Sequence, residues 1–465
     1  MIQYKTLANQ LMAEIDSGSM VAGQRLLSVR DFSRQQQVSM TTALNCYNFL
    51  VERGYASTRP RAGYFAQKPV LNLRTIPLQQ FSPEPQVAAQ PPLIHSQHPL
   101  ATAQMAESLL PLQQLGNAAR SVFKRAHAQG LHYGDSNGHP FLHRALAAHY
   151  AEAGFTLNAG NIVIGNGCLD SVRLALEVTT QPEDVVVVAS PCFNGLLDIL
   201  RSMNRRILEI PSTRQGIDLV YLEDIIRSGS AAALLLTANF QNPLGHQFSN
   251  AHKAAIAELA NRYQFPVIED DVYQELSFNG VLPLPIKHWD TDGNVLWCSS
   301  FSKTLCASYR LGWCEPGRFY PLFAARRRAE SMGVNMPLQA ILADFIASGN
   351  YRKHIRKLLP LLSQQVRDYR HYLLTNTRDD LAVSEPQGGM VLWCQVPRLN
   401  SEQLAADLDT EQVAIRPGNL FSSRHYYHDY FRINCGWPLD DERKRELDIL
   451  LQKIERNRTG EVETA

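Results

Sequence analysis

From Tyr4 to about Ser17 apolar residues recur with helical spacing, Leu7, Leu11 and Ile15 on one face, which predicts an amphipathic helix. Ser28-Val29-Arg30-Asp31 has the spacing of a capping box, so a second helix starts there. Ser39 can cap a third, with Ala43, Tyr47 and Leu50 facing inward and Gly54 stopping it. "YASTRPRAGYFA" then reads as a two-stranded ribbon. From Gln67 to Pro99 the pattern vanishes into prolines (69, 77, 83, 85, 91, 92 and 99) with few charges, the mark of an extended, semi-rigid linker. From about 106 onward "NIVIGN", "DVVVVAS", "RILEIP", "AALLLTA", "FPVIEDD" and "NVLWCSS" read as short buried strands. "LDSVRLALEVTT", "NGLLDILRSM" and "NAHKAAIAELANRY" read as helices between them. Such alternation implies an α/β fold with a large, doubly wound, mostly parallel sheet. From about 350 a long basic helix precedes strands in "GGMVLWCQV" and "YFRINCGW", a smaller α+β domain closing over the large one. The expected division is 1–67, a linker at 68–105, and 106–465, the last split into 106–330 and 331–465.

The length, 465 residues, exceeds what one core fills, which agrees with that division. A net charge of +1 excludes a strongly basic protein, so any nucleic-acid binding must come from a local patch. No apolar run approaches membrane-spanning length and the first residues lack a signal-peptide core; a cytoplasmic protein is expected. The eight cysteines form no CxxC pair and sit mostly among apolar or small residues. They read as reduced and buried, with no metal site expected.

Three helices and a ribbon make a winged helix-turn-helix, whose third helix would enter the major groove by its N-terminal end. Ser39, Met40, Thr41, Thr42 and Asn45 would then face DNA. Cations gather where phosphates would lie: Arg30 on the second helix, Arg59 and Arg61 beside Gly63 on the wing. The segment resembles the GntR family of DNA-binding domains through Tyr4, Ile15, Gly18, Gly23, Arg25-Leu26, Ser28-Val29-Arg30, Val38-Ser39, Thr41, Tyr47, Leu50, Gly54 and Gly63. The family usually has proline at Leu27 and often arginine at Met40. The same fold could also serve protein contacts.

Lys303, in "SSFSKTLCASYRLGW", is one cation in an apolar stretch, and its company gives it meaning. "ANFQNPLG", "IEDDVYQEL", "GNGCLDS" and "SPCFNG" all follow buried strands, where open α/β sheets bind ligands. Pyridoxal phosphate (PLP) uses such a set. Lys303 would form a Schiff base with its aldehyde and Asp270 would keep its ring nitrogen protonated. Asn242 and Tyr273 would hydrogen-bond the phenolic oxygen. Backbone N–H groups of Gly167, Cys168 and Leu169 would cradle the phosphate at a helix N-terminus, joined by Ser300, Ser302 and Arg310. Phe193 would stack on the ring, and Arg432 would grip a carboxylate on an incoming amino compound. Each residue has a plainer use: a turn at Asn242-Pro243, a strand end at Asp270-Asp271, core at Phe193, a structural ion pair at Arg432. Cys168 and Cys306, without an evident acid or base partner, read as apolar filler.

Together these motifs resemble the class I aminotransferases, the fold-type I PLP enzymes, over roughly residues 130 to 460. The resemblance adds Tyr133, at the position of a tyrosine that reaches the partner subunit's phosphate. Departures are Ala307-Ser308 where Pro-Gly is usual, His143 where arginine is usual, and "AQMAESLLPLQQL", which keeps only Pro111-Leu112 of the approach segment. A GntR-like head, a Pro-rich linker and an aminotransferase-like body resemble the MocR family of bacterial transcription regulators. That implies a homodimer, commonly head-to-tail, on double-stranded DNA with two half-sites, switched by PLP or a small amino compound through an aldimine at Lys303. An active aminotransferase carrying a DNA-binding domain and a PLP-less interaction protein remain as alternatives. Turnover separates the first and a colourless purified protein the second.

Overall fold

The computed structural model describes residues 3–17, 19–21, 23–53, 55–59, 63–67, 98–125, 134–377 and 381–459. The head is α1 (Gln3–Ser17), α2 (Val29–Gln35), α3 (Met40–Glu52) and the antiparallel pair β1 (Ala56–Arg59) and β2 (Gly63–Ala66). Both expected caps form: Ser28 Oγ accepts from Asp31 N–H at 3.1 Å, Ser39 Oγ from Thr42 N–H at 3.0 Å. Each satisfies a donor the first helical turn leaves open. Ala8, Ile15, Leu26, Phe32, Ala43, Cys46, Tyr47 and Leu50 fill the core. The head rests on the C-terminal body, where Arg53 Nε lies 3.2 Å from Glu385 Oε1.

The body continues with α4 (Leu112–Arg125), α5 (Pro140–Ala151), β3 (Val163–Gly165), α6 (Cys168–Thr179), β4 (Val185–Ser190), α7 (Asn194–Ser202), β5 (Arg206–Pro211), α8 (Leu219–Arg227), β6 (Ala233–Leu236), α9 (Asn250–Tyr263), β7 (Val267–Asp270), β8 (Val295–Ser300), β9 (Gly312–Glu315) and α10 (Tyr320–Glu330). The sheet runs β3-β9-β8-β7-β6-β4-β5. Its pairs from β5 to β8 are parallel, while β9 is antiparallel to both β3 and β8. The sequence did not mark β9 as a strand, because it is only four residues long and its first two end the stretch that carries Lys303. Alternate strand residues face opposite layers: Val186, Val188, Leu235 and Ile268 toward α6 and α7, and Val187, Leu234, Leu236 and Val267 toward α8 and α9. Both faces are covered, which is why these strands read as continuous apolar runs.

The rest is α11 (Met336–Ala347), α12 (Asn350–Thr375), β10 (Ala382–Val383), β11 (Val391–Gln395), α13 (Ser401–Asp409), β12 (Arg416–Pro417), β13 (Tyr430–Asn434) and α14 (Asp441–Thr459). The second sheet is ordered β10-β11-β13-β12 and is antiparallel. Leu392, Cys394, Phe431 and Ile433 turn to a core with α12, α13 and α14, while Trp393 and Arg432 stand on the other face, toward the large sheet. The core of the large unit does not stop at the expected 330/331 division. Ile341, Leu342 and Phe345 of α11 and Ile355 and Leu362 of α12 still belong to it, because α11 packs against α4 and α5. No helix among the described residues is long and apolar enough to cross a membrane.

Candidate cofactor site

β8 ends at Ser300, and a tight turn over 301–303 brings Lys303 into the space between the two sheets. Thr304, the next residue, is braced from α12: Tyr351 Oη donates to its Oγ1 at 3.0 Å and His354 Nε2 lies 2.7 Å from its carbonyl. The Lys303 amine is enclosed by protein although the residue keeps some solvent contact. It donates to the Ala103 carbonyl at 2.7 Å. Burial, with Arg432 nearby, pulls its pKa down to about 8, against the opposing effect of Asp270. Such an amine is partly neutral at physiological pH and so nucleophilic.

Asp270 ends β7 and is buried, which pushes its carboxyl pKa up. It accepts from Cys168 Sγ at 3.2 Å. This corrects the reading of Cys168 as mere filler: the thiol has a carboxylate partner 102 positions away in sequence, a pairing no local pattern reveals. Cys306 is half-buried, its thiol 2.9 Å from Ser308 Oγ.

Cys168 also opens α6. Gly167 is the N-cap, at φ +93, and no side chain caps the helix. A Cβ there would come within 2.4 Å of Arg310 Nη2, so glycine is needed for both backbone conformation and room. Arg310 reaches this turn despite Ala307-Ser308: a 3-10 turn over Ala307–Tyr309 leads into Arg310 at φ +46. Its guanidinium donates to Ser302 Oγ at 3.3 Å and Asn166 O at 3.2 Å. Ser300 Oγ accepts from Ser302 N–H at 3.3 Å. The uncapped helix start and Arg310 together form an anion cradle, with Leu169 in the first turn of α6.

Asn242 and Tyr273 are buried, with Asn242 Nδ2 3.5 Å from Tyr273 Oη. Phe193 is half-buried at the N-cap of α7 and packs against the core beneath α6 and α7. Arg432 is 2% exposed. It donates to Asn242 Oδ1 at 3.4 Å and to the Ala101 carbonyl, while its Nε has no partner. Burial lowers its pKa to about 10. A buried guanidinium with a spare donor and, among the described residues, no carboxylate against it fits an anionic ligand better than a structural ion pair. Tyr133 lies outside the described residues. The residues present fit PLP: an amine of lowered pKa, a buried carboxylate, a phenol–amide pair and an anion cradle, one group for each part of the coenzyme.

Two features escaped the sequence. Glu209 fastens the small unit to the large one, accepting from Ser422 Oγ at 2.9 Å, Ser423 N–H at 2.6 Å, Ser423 Oγ at 2.7 Å and also Ser190 Oγ. Asn434 holds residues 98–105, expected to belong to the linker, against the pocket; Leu100 and Ala101 there are buried. Neither could be read from spacing, since each joins parts about 200 residues or more apart.

On the head, Arg30, Ser39, Met40, Thr41 and Asn45 are exposed and Thr42 half-buried. Leu27 and Met40, the two departures from the GntR pattern, are 47% and 50% exposed. Gly63 pairs with Arg59 at the ends of β1 and β2; the Arg59 side chain and Arg61 lie outside the described residues.

Residues 102–450 match the family model of aminotransferase class I and II. The HTH-type transcriptional regulator YdcR of Escherichia coli is 31% identical over 97% of this chain and 100% of its own. The chain belongs to the aminotransferase class I and II family, in the MocR arrangement that adds a helix-turn-helix head. Other proteins similar to the body alone are named as aminotransferases. An aromatic-amino-acid aminotransferase of Thermococcus litoralis is 26% identical over 76% of this chain and 87% of its own. The alpha-aminoadipate aminotransferase LysN of Thermus thermophilus, solved with a phosphopyridoxyl-leucine, superposes with a TM-score of 0.69 at 20% identity, covering 77% of this chain and 91% of its own. This MocR protein is thus a transcription regulator whose cofactor is pyridoxal phosphate.

Proposed function

We propose that this MocR regulator senses PLP, or an amino compound that reacts with it, at Lys303 and thereby alters DNA binding by α3. The observation that carries the reading is the convergence of Lys303, Asp270 and Arg432 on one pocket, in a chain whose α3 start is exposed. Bound PLP supplies an aldehyde that joins amines and an electron-withdrawing ring. Asp270 holds the ring nitrogen, Tyr273 and Asn242 the phenolic oxygen, and Gly167, Cys168, Leu169, Ser300, Ser302 and Arg310 the phosphate. Phe193 would lie over the ring, Tyr133 would complete the cradle of a partner copy, and Arg432 would hold the effector's carboxylate. Residues 1–67 read DNA through Arg30, Ser39, Met40, Thr41, Thr42, Asn45, Arg59, Arg61 and Gly63. Residues from 68 link them to the body. A cytoplasmic homodimer places two heads on two half-sites.

The test is a mobility shift on DNA upstream of the gene, with and without PLP. Coupling of the usual size changes affinity about 5- to 150-fold for the wild type and not for Lys303→Ala. Equal affinities in all four mixtures overturn the reading. The Thermococcus litoralis likeness keeps a second reading, amino transfer, for which turnover of an amino-acid and oxo-acid pair is decisive.

A further inference from the structure

Lys303 and Arg432, the two cations proposed to meet coenzyme and effector, both donate to one short segment. Lys303 Nζ donates to the Ala103 carbonyl at 2.7 Å, and Arg432 Nη2 to the Ala101 carbonyl. The same segment is held by contacts a ligand would not compete for. Asn434 Nδ2 donates to Pro99 O at 2.8 Å and Gln104 O at 2.9 Å, and Asn434 N–H to Leu100 O at 2.8 Å. Ala106 N–H donates to Gly436 O at 2.9 Å. Gly436 lies so close that a Cβ there would stand 2.3 Å from Gln104 O. Residues 98–106 continue directly into the chain that leads to the head.

We propose that residues 98–106 are a strap that reads occupation of the pocket, with Asn434 as its positioning residue. This rests on the sensing role proposed for Lys303. An amine joined to an aldehyde loses protons it had available to donate, and a guanidinium turned to a carboxylate leaves its carbonyl. Occupation therefore removes the strap's grips at Ala101 and Ala103 and leaves those at Pro99, Leu100, Gln104 and Ala106. The strap loosens in its middle while its ends stay registered on β13. Binding energy at the pocket thus reaches the chain that enters the linker without movement of either sheet.

Amide hydrogen exchange of the full chain, with and without PLP, tests this. In the wild type, PLP should speed exchange of peptides covering 98–106 about fivefold or more, the effect of losing one ordinary hydrogen bond, and leave 391–395 in β11 unchanged. Asn434→Ala removes two side-chain donors; Gly436→Ala pushes on the Gln104 carbonyl without touching Lys303 or Arg432, and keeps the backbone N–H that donates to Asn434 Oδ1 at 3.2 Å. Both should exchange fast at 98–106 without PLP and respond little to it, while borohydride with PLP still labels Lys303. Labelling of Lys303 with unchanged exchange at 98–106 in the wild type overturns the strap alone, as does a full PLP response in both variants. Failure to label Lys303 in the wild type overturns the sensing role and the strap with it.

Discussion

The Cys168 thiol donates to Asp270 Oδ1 across 3.2 Å. Burial raises the Asp270 pKa, and the hydrogen bonds from Cys168 and Val272 N–H act against that rise. The cysteine thus helps keep an anion where a protonated ring nitrogen is to sit. Cys168→Ala should lower PLP affinity by about two- to tenfold, the worth of one ordinary hydrogen bond, since the thiol is a weak donor even to a carboxylate. Cys168→Ser should restore most of it. Asp270→Asn removes the charge and should cost about 10- to 100-fold. Absorbance titration with PLP measures all three.

Lys303 reacts as the neutral amine. With its pKa near 8, the reactive fraction grows as pH rises through that value and levels off above it. The rate of PLP attachment, followed by stopped-flow absorbance, should rise between about pH 7 and 9, roughly tenfold per unit below the pKa. Arg432→Gln removes a cation that depresses this pKa, so the profile should move toward higher pH.

Glu209 has the serine hydroxyls of both units gathered on one carboxylate. Glu209→Ala leaves them without that acceptor and should cost about 1.5–3 kcal/mol, the range for hydrogen bonds to charged groups. Urea unfolding reads the loss. Glu209→Gln, which keeps one acceptor oxygen, should fall between that variant and the wild type.

Arg30 is exposed on α2, where a phosphate contact would be made. Arg30→Ala should weaken binding to any duplex and reduce the slope of log affinity against log salt by about 1. Thr41→Ala at the start of α3 should leave that slope intact and weaken only the preferred site. Fluorescence anisotropy across a salt series distinguishes the two.

Most of the framework was legible because its signals are local. Ser28 and Ser39 announce their helices within three residues, and the runs 185–189 and 295–298 are apolar throughout because helices cover both sheet faces. Lys303, Asp270, Asn242 and Gly167 could be proposed together because each stands at or just beyond the end of a strand of the large sheet, whereas Arg432 lies within β13 of the second sheet. The rest depends on partners distant in the chain. The Cys168 thiol has no partner until β7 arrives beside α6. Asn434 stands two residues from Arg432 in a stretch that drew attention only to the arginine. Residues 98–106 meet the pocket through the carbonyls of Ala101 and Ala103, which no side-chain pattern discloses.

The central claim is that the Lys303 amine is the group that takes the coenzyme. Incubation of the purified protein with PLP, borohydride reduction and peptide mass mapping tests it most directly. A pyridoxyl adduct on Lys303, lost in Lys303→Ala without relocation to another lysine, is the predicted result. An unmodified Lys303 in a protein that has bound the coenzyme, or an adduct carried elsewhere, would contradict the account.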